Sequence, residues 1–236
     1  MRAEMITVAS YNIHKAIGAD RQRNPDRILG VLAEIAADIV TLQEADRRFG
    51  ARAAVLPQAM LHRAGWHPIT FGVRANSMGW HGNMILIRHG AFVLGASSID
   101  LPRLEPRGAV MADIQMPDGL ALRIFGMHLD LSGLRRRKQA LAIIAEAQGA
   151  RPALPTLLMG DLNEWSATMG CLHEFARPFR IAETPASFPA RAPIARLDRI
   201  MMTRDLRVVA CGVNASPLAR RASDHLPVWA RIEGVA

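Results

Sequence analysis

Short apolar runs alternate with polar segments along the whole 236-residue chain. Their length and their content of β-branched residues favour strands over helices. Glycine, proline or acidic and amide side chains separate them, as expected at strand ends and turns. The pattern therefore predicts a protein in which strands predominate, at residues 5–13, 37–44, 67–73, 83–88, 109–116, 120–129, 156–161, 196–203, 206–213 and 226–232.

Two helices are predicted in the first third of the chain. The first begins at Asn24, a favourable N-cap, with Pro25 at the first helical position. Apolar residues then follow at helical spacing, at positions 28, 29, 32 and 35. The second helix is predicted at residues 53–63.

A third helix is predicted from about Leu134 to Gln148, with an apolar face of Leu134, Leu141, Ile144 and Ala145. Its start carries the basic run 135–138, although the helix dipole disfavours cations at an N-terminus. The run indicates either an anionic ligand or a solvated arginine-rich face.

The order of these elements favours a mixed-sheet α/β sandwich over a doubly wound parallel sheet, because many strands are consecutive and helices occur only intermittently. The sequence contains no internal repeat, and its longest linker-like stretch is the loop 184–196. We therefore expect a single domain over residues 1–236.

Composition narrows the possible partners only slightly. The formal net charge is +8, and every basic residue except Lys15 and Lys138 is arginine. A positive field attracts polyanions such as nucleic acid, phosphates or acidic lipid, but the arginine excess also fits a bias in genome composition.

Cysteine usage and the N-terminus predict a soluble, cytoplasmic protein. The two cysteines, Cys171 and Cys211, form neither a CxxC pair nor a disulfide framework, which indicates a reducing compartment. The first residues lack the apolar core of a leader peptide, and no uninterrupted apolar window is long enough to span a membrane.

Polar side chains recur where the predicted strands end. Such residues can converge on one edge of a sandwich, and an oxygen-rich ring of this kind favours Mg²⁺ or Mn²⁺. The sequence has no HExxH motif, no P-loop and no GxSxG elbow, which leaves metal-assisted hydrolysis as the favoured chemistry. The residues are Asn12, Glu44, His128, Asp130, Asp161, Asn163, Asp198 and the triplet 223–225.

Seven motifs, in order, resemble the endonuclease/exonuclease/phosphatase superfamily, the deoxyribonuclease I-like group. The most specific are GDLN at residues 160–163 and SDHLP at residues 223–227. The others are YN (11–12), LQE (42–44), GNMILIR (82–88), MHLDLS (127–132) and SFP with RLDRIM (187–201). The resemblance is nearest to compact bacterial-type members and implies a four-layered α/β/β/α sandwich of two mixed, mainly antiparallel sheets.

The resemblance also implies roles for individual residues. Glu44 is expected to be the principal metal ligand, with Asn12 and Asp224 assisting. Asp161 is expected to orient or deprotonate the attacking water, and Asn163 to hold that water or a phosphate oxygen.

Three further residues are expected to act on the phosphate. The resemblance gives His225 the position facing the scissile phosphate, as base or as cationic clamp, and Asp198 the position that orients its imidazole. His128 is expected to be a second phosphate ligand.

These assignments predict a Mg²⁺-dependent phosphoesterase, with Mn²⁺ as a substitute, that uses in-line attack of water on a phosphodiester or phosphomonoester. The substrate stays open between nucleic acid, a phospholipid head group and an inositol or sugar phosphate, because fold does not imply function. The alternative is a non-catalytic polyanion-binding module that retains the fold.

Side chains near the motifs bear on the substrate. Aromatic residues suited to base stacking are few, namely Tyr11, Trp80 and Trp165. Several arginines near the motifs are candidates to surround the entrance of the site, and we call them the rim arginines: Arg47, Arg48, Arg107, Arg135, Arg136, Arg220 and Arg221. Two positions, Ser187 and Arg199, depart from the commoner family pattern.

Overall fold

The computed structural model describes residues 5–46, 54–71, 79–102 and 107–235. Within these ranges the strands are β1 (Ile6–Asn12), β2 (Ile39–Gln43), β3 (Trp66–Pro68), β4 (Met84–Arg88), β5 (Phe92–Ile99), β6 (Gly108–Gln115), β7 (Ala121–His128), β8 (Thr156–Asp161), β9 (Arg180–Ile181), β10 (Asp198–Met202), β11 (Leu206–Val213) and β12 (Val228–Gly234). The α-helices are α1 (Pro25–Ile35), α2 (Gln58–Arg63), α3 (Gly133–Gly149), α4 (Cys171–Phe175) and α5 (Ala219–Ala222).

The strands form two six-stranded sheets. The first has the order β11-β12-β1-β2-β4-β3, and the second has the order β5-β6-β7-β8-β10-β9. Only two strand pairs are parallel among those described, β1 with β2 and β7 with β8. The sheets are thus mixed and mainly antiparallel, as expected.

Three apolar clusters hold the layers together. The central cluster lies between the sheets, and two outer clusters lie under α1, α2 and α5 on one side and under α3 and α4 on the other. Alternate residues of β1 serve different clusters, since Val8 faces the central one and Ala9 an outer one. Burial on both faces explains the nearly continuous apolar runs. The expected four-layered α/β/β/α sandwich is confirmed.

The first two helices differ in how well the sequence places them. Asn24 caps α1 by accepting a hydrogen bond from the backbone N–H of Arg27 at 3.2 Å, and Pro25 is the first helical residue, as predicted. The predicted start of α2 at residue 53 lies outside the described residues. The helix itself begins only at Gln58, because Pro57 precedes it in an extended conformation and residues 55–56 lie buried before it.

The extent of α3 is confirmed, but the predicted apolar face is wrong. Leu134 and Leu141 are exposed, whereas Arg136 and Gln139 are buried. The buried polar groups are satisfied: Gln139 Oε1 accepts a hydrogen bond from the backbone N–H of Asp130 at 2.9 Å. The buried face of α3 therefore combines apolar packing by Ala140 and Ile143 with polar groups that are hydrogen-bonded.

Two strands escape sequence reasoning. β5 is an edge strand, exposed along most of its length and rich in small residues, so it lacks an alternating apolar pattern. β9 is only two residues long. Conversely, of the predicted strand 67–73 only the start lies in β3, which ends at Pro68, and residues 72–73 lie outside the described residues.

The sheet order brings the motif-bearing strand ends together. β1 packs on β8 and β10 across the central cluster, and β2 packs on β7 and β8. Since both parallel pairs point their carboxyl ends the same way, the residues that follow them meet at one end of the sandwich. None of the described helices is long and apolar enough to cross a bilayer.

Candidate active site

Asn12 joins the two sheets at the end of β1. Its side-chain amide donates a hydrogen bond to Asp161 Oδ2 at 2.9 Å, from one sheet to the other. Its Oδ1 accepts from the backbone N–H of His14 at 3.1 Å. Both partners fix the amide, so its orientation follows from the network.

Glu44 follows β2, the parallel neighbour of β1, so it lies beside Asn12 at the same sheet edge. Its backbone is left-handed, with φ 54°, and Gly82 passes so close that a Cβ there would lie 3.3 Å from Glu44 Cα. Burial opposes ionisation of Glu44, but contact with the Lys15 ammonium outweighs it and lowers the pKa of the carboxyl. Glu44 is therefore an anion held in a strained position.

The GDLN motif forms a tight corner after β8. A Cβ on Gly160 would lie 1.9 Å from the Met127 carbonyl oxygen, so β7 and β8 approach this closely only with glycine. Asp161 Oδ1 accepts from the backbone N–H of Asn163 at 2.9 Å. The Asn163 side-chain amide donates to the Leu129 carbonyl at 3.0 Å, tying the corner to the end of β7.

His225 and Asp198 form a buried charged pair. His225 Nδ1 lies 2.9 Å from Asp198 Oδ2, which also accepts from the Ser187 hydroxyl. Burial alone would lower the pKa of His225, but the negative charges of Asp198 and Asp161 prevail and raise it to about 10. The imidazole is therefore held as a cation, with Nε2 directed toward Asp161.

Asp161 is the centre of the constellation. Its Oδ2 lies 3.3 Å from His128 Nε2 and 3.7 Å from His225 Nε2. Burial raises the pKa of Asp161 to about 6, partly offset by the charge on His225. His128 Nε2 also contacts the Arg107 guanidinium, so one of the predicted rim arginines lies in the site.

Asp224 lies at the margin of the site rather than at its centre. Its carboxylate is 45% exposed and its Oδ1 is 3.8 Å from His14 Nδ1. The neighbouring Ser223 donates to the Asn12 carbonyl at 2.7 Å, which fastens the SDHLP motif to the end of β1.

The structure thus groups the predicted residues in two tiers. Asn12, His128, Asp161, Asp198 and His225 form one connected cluster, and Asn163 joins it through its backbone. Glu44 and Asp224 flank the cluster. Glu44 contacts the Lys15 ammonium and Asp224 lies beside the His14 ring, two neighbours that were not among the predicted site residues.

The donor set fits a hard divalent cation. Glu44 and Asp224 supply carboxylates and Asn12 an amide oxygen, the ligand types that Mg²⁺ and Mn²⁺ prefer. Asp161, Asp198 and His225 also have ligand atoms within 4.8 Å of one another in the described part of the chain. Their direct hydrogen bond and ion pairs account for that closeness without an ion.

Glu164, which the sequence left without a role, supports the corner. Its Oε2 accepts from Arg136 and from the backbone N–H of Cys171, each at 3.3 Å. Gly170 makes room for it, since a Cβ there would lie 2.1 Å from that oxygen. Arg136 is thus neither a ligand-binding nor a solvated arginine; it is buried and structural.

The other predicted rim arginines have varied surroundings. Arg220 donates to the carbonyls of Ala190 and Arg191, at 3.0 and 2.9 Å, and so fastens the loop 184–196. Arg135 and Arg221 are at least partly exposed. Arg47 and Arg48 lie outside the described residues.

An aromatic pair adjoins His225. The Phe188 ring is 4.8 Å from the His225 imidazole, and the Trp165 ring meets Phe188 edge to face at 6.1 Å. The SFP motif and Trp165, which follows the GDLN motif, therefore place apolar groups beside His225. Ser187 binds Asp198 directly, although it departs from the commoner pattern.

The fold is shared with solved structures of low sequence identity. An endonuclease/exonuclease/phosphatase from Bacteroides vulgatus has 19% identity, a TM-score of 0.78 and coverage of 98% of this chain and 100% of its own. A mannosyl-6-phosphatase from Bacteroides thetaiotaomicron has 20% identity and a TM-score of 0.75, and the match covers 96% of this chain and 99% of its own. The human Nocturnin catalytic domain with bound sulfate has 19% identity and a TM-score of 0.77, and the match covers 99% of this chain and 98% of its own.

A family model provides the assignment that structural likeness alone does not. No curated protein matches the sequence. The model of the Endonuclease/Exonuclease/phosphatase family matches residues 9–225, which include all the predicted site residues and every motif except the last two residues of SDHLP. The chain belongs to the endonuclease/exonuclease/phosphatase family.

Proposed function

We propose that the protein is a Mg²⁺- or Mn²⁺-dependent phosphoesterase that hydrolyses its substrate by in-line attack of water. One observation carries the proposal: Asp161 Oδ2 accepts from Asn12 at 2.9 Å and faces two imidazoles, at 3.3 and 3.7 Å. A buried carboxylate between two histidines is suited to hold water beside a phosphate that the same imidazoles bind.

In this proposal Asp161 orients the attacking water and accepts its proton. His225 and His128 bind phosphate oxygens and stabilise the charge that accumulates during attack. Asp198 is a positioning residue, because it acts through the His225 imidazole. Asn163 presents its carboxamide oxygen to the water, since its amide nitrogen is already bound to Leu129.

Glu44, Asn12 and Asp224 would hold the metal ion. When bound, a divalent cation supplies Lewis-acid stabilisation of the phosphate and the leaving oxygen. The Lys15 ammonium on Glu44 shows that this carboxylate already accepts a positive charge. Loss of activity in excess EDTA, restored by Mg²⁺ or Mn²⁺, tests this part of the proposal.

The decisive experiment is hydrolysis of bis(p-nitrophenyl) phosphate and p-nitrophenyl phosphate with Mg²⁺. We expect turnover by the native protein, with the ratio of the two rates distinguishing diesterase from monoesterase, and loss of turnover in Asp161→Asn. Phosphate binding without turnover of either compound would instead support a non-catalytic polyanion-binding module. The predictions of a single domain and of a cytoplasmic location stay predictions.

A further inference from the structure

Five large apolar side chains are exposed around the candidate site, four of them on three loops and one, Leu134, on the first turn of α3. The loops follow β7, follow β8 and precede β10, and the side chains are between 60% and 78% exposed. We call them the apolar rim: Leu131, Leu134, Trp165, Met169 and Ile194. Clusters of exposed apolar groups on a soluble fold usually mark a surface that binds something.

Hydrogen bonds and ring contacts join the three loops into one surface. Arg136 donates to the Leu131 carbonyl at 2.6 Å and to Glu164 at 3.3 Å, which connects the first loop to the second. The Trp165 ring meets the Phe188 ring, which connects the second loop to the third.

The ends of the rim are tied to the same framework. The backbone N–H of Ile194 donates to the Phe188 carbonyl at 2.8 Å, and that of Met169 donates to the Ser166 hydroxyl at 2.9 Å. Because the Phe188 ring also contacts His225, the rim borders the site rather than a remote face.

The charges of these loops are asymmetric. Residues 129–138, 162–170 and 185–197 contain only two carboxylates, Asp130 and Glu164, and both are buried. The exposed or partly exposed charges on and beside these segments are cationic except for Glu183, and one of the cations, Arg137, is paired with Glu174 at 2.8 Å. The cations are Arg135, Arg137, Lys138, Arg191 and Arg196. Apolar side chains flanked by cations suit an interface of anionic head groups above acyl chains.

We propose that the apolar rim docks the protein on an anionic phospholipid bilayer, and that the substrate of the adjoining site is a phosphoester of a lipid head group. This inference rests on the proposed function. The composition of the rim favours lipid over single-stranded nucleic acid, because only Trp165 has a ring on which a base stacks, whereas the other four side chains are aliphatic and suit acyl chains.

The experiment is co-sedimentation of the whole protein with vesicles of phosphatidylcholine, with and without phosphatidylglycerol. The rim variant is Trp165→Ser with Ile194→Ser. Its matched control is Phe92→Ser with Leu94→Ser, on the edge strand β5, where those side chains are 66% and 58% exposed.

We expect the native protein and the control to bind vesicles that contain phosphatidylglycerol, and the rim variant to bind at least tenfold more weakly. Quenching of Trp165 fluorescence by brominated lipid, measured against Trp165→Phe, reports insertion directly. No binding by the native protein, or equal binding by the rim variant, would overturn the docking proposal. Binding of an oligonucleotide through Trp165, without binding of vesicles, would also overturn the docking proposal.

Phosphate release separates this inference from the proposed function. We expect the rim variant to hydrolyse bis(p-nitrophenyl) phosphate at the native rate but to release at least tenfold less head-group phosphate from vesicles. Equal release by the variant would refute a lipid substrate bound through the rim. If the soluble ester is not hydrolysed by the native protein, the proposed function fails, while sedimentation still decides whether the rim binds lipid.

Discussion

Asp198 Oδ2 lies 2.9 Å from His225 Nδ1. The two residues belong to different halves of the sandwich, because Asp198 begins β10 of the second sheet and His225 precedes β12 of the first. The pairing fixes the ring so that Nε2 faces Asp161. Changes to either partner therefore alter the position and the charge of the imidazole together.

Asp198→Asn is expected to reduce kcat roughly a hundredfold, because the imidazole loses the anion that orients it. The pKa of His225, raised to about 10 chiefly by that anion against the effect of burial, should fall toward the ordinary histidine value. Kinetics with bis(p-nitrophenyl) phosphate and NMR titration of the imidazole test both effects. Ser187→Ala removes only one hydrogen bond to Asp198 and is expected to have a smaller effect on kcat. An unchanged His225 titration in Asp198→Asn would contradict the assigned cause.

Asp161→Asn is expected to lower turnover roughly a hundredfold or more, because an amide cannot accept the proton from water. The substitution keeps the size of the side chain and an oxygen for the Asn12 hydrogen bond, so the fold should persist. Thermal unfolding by circular dichroism checks the second point. A variant that keeps a large part of the native turnover would remove Asp161 from the mechanism.

Glu44→Gln is expected to raise the Mg²⁺ concentration needed for half-maximal activity by roughly tenfold or more, because it removes a negative ligand from the predicted metal site. Titration of activity with Mg²⁺ measures this shift. Glu34→Gln, on the outer helix α1, is the control and should leave the titration unchanged. Identical Mg²⁺ curves for the native protein and Glu44→Gln would argue against Glu44 as a ligand.

Glu164→Gln is expected to lower the free energy of unfolding at neutral pH by about 3 kcal/mol, because it leaves Arg136 buried beside a neutral amide. Burial opposes ionisation of Glu164, but backbone hydrogen bonds and Arg136 outweigh it and hold its pKa below the usual range. Its stabilisation is therefore present above the unfolded-state pKa of about 4.3 and is lost as the pH falls through the lower folded-state pKa.

Urea unfolding at several pH values tests the direction in which the stabilisation by Glu164 changes with pH. The native protein should lose stability on acidification below about pH 4.3, and Glu164→Gln should show a shallower loss over the same range. Glu183→Gln, an exposed residue, serves as the control. Parallel pH profiles for native protein and Glu164→Gln would contradict the assignment.

Strand ends were predictable because the polar residues of the site interrupt apolar runs abruptly. Asp161 ends a strand that is buried at every position and Asn163 follows it, so their polarity has no packing explanation within the strand. The family resemblance supplied what the pattern alone does not contain, namely that strands distant in sequence bring Asn12 and Asp161 into contact.

Other features depend on tertiary contacts and have no local signal. Arg136 and Gln139 can lie on the buried face of α3 because both make hydrogen bonds to residues outside the helix. The contact of Lys15 with Glu44 depends on a left-handed turn after β1, in which Lys15 has φ 57°. The apolar rim resembles ordinary loop sequence until the fold places its three segments side by side.

The pairing of β1 with β12 also determines when the first sheet can be completed during synthesis. β12, which pairs with β1, completes the first sheet around an intervening stretch that forms the whole second sheet. A ribosome therefore releases β1 long before its partner emerges, and His225 is translated just ahead of that partner. Activity should appear all at once and only after β12 has emerged, which makes it a sensitive reporter of the completion of both sheets.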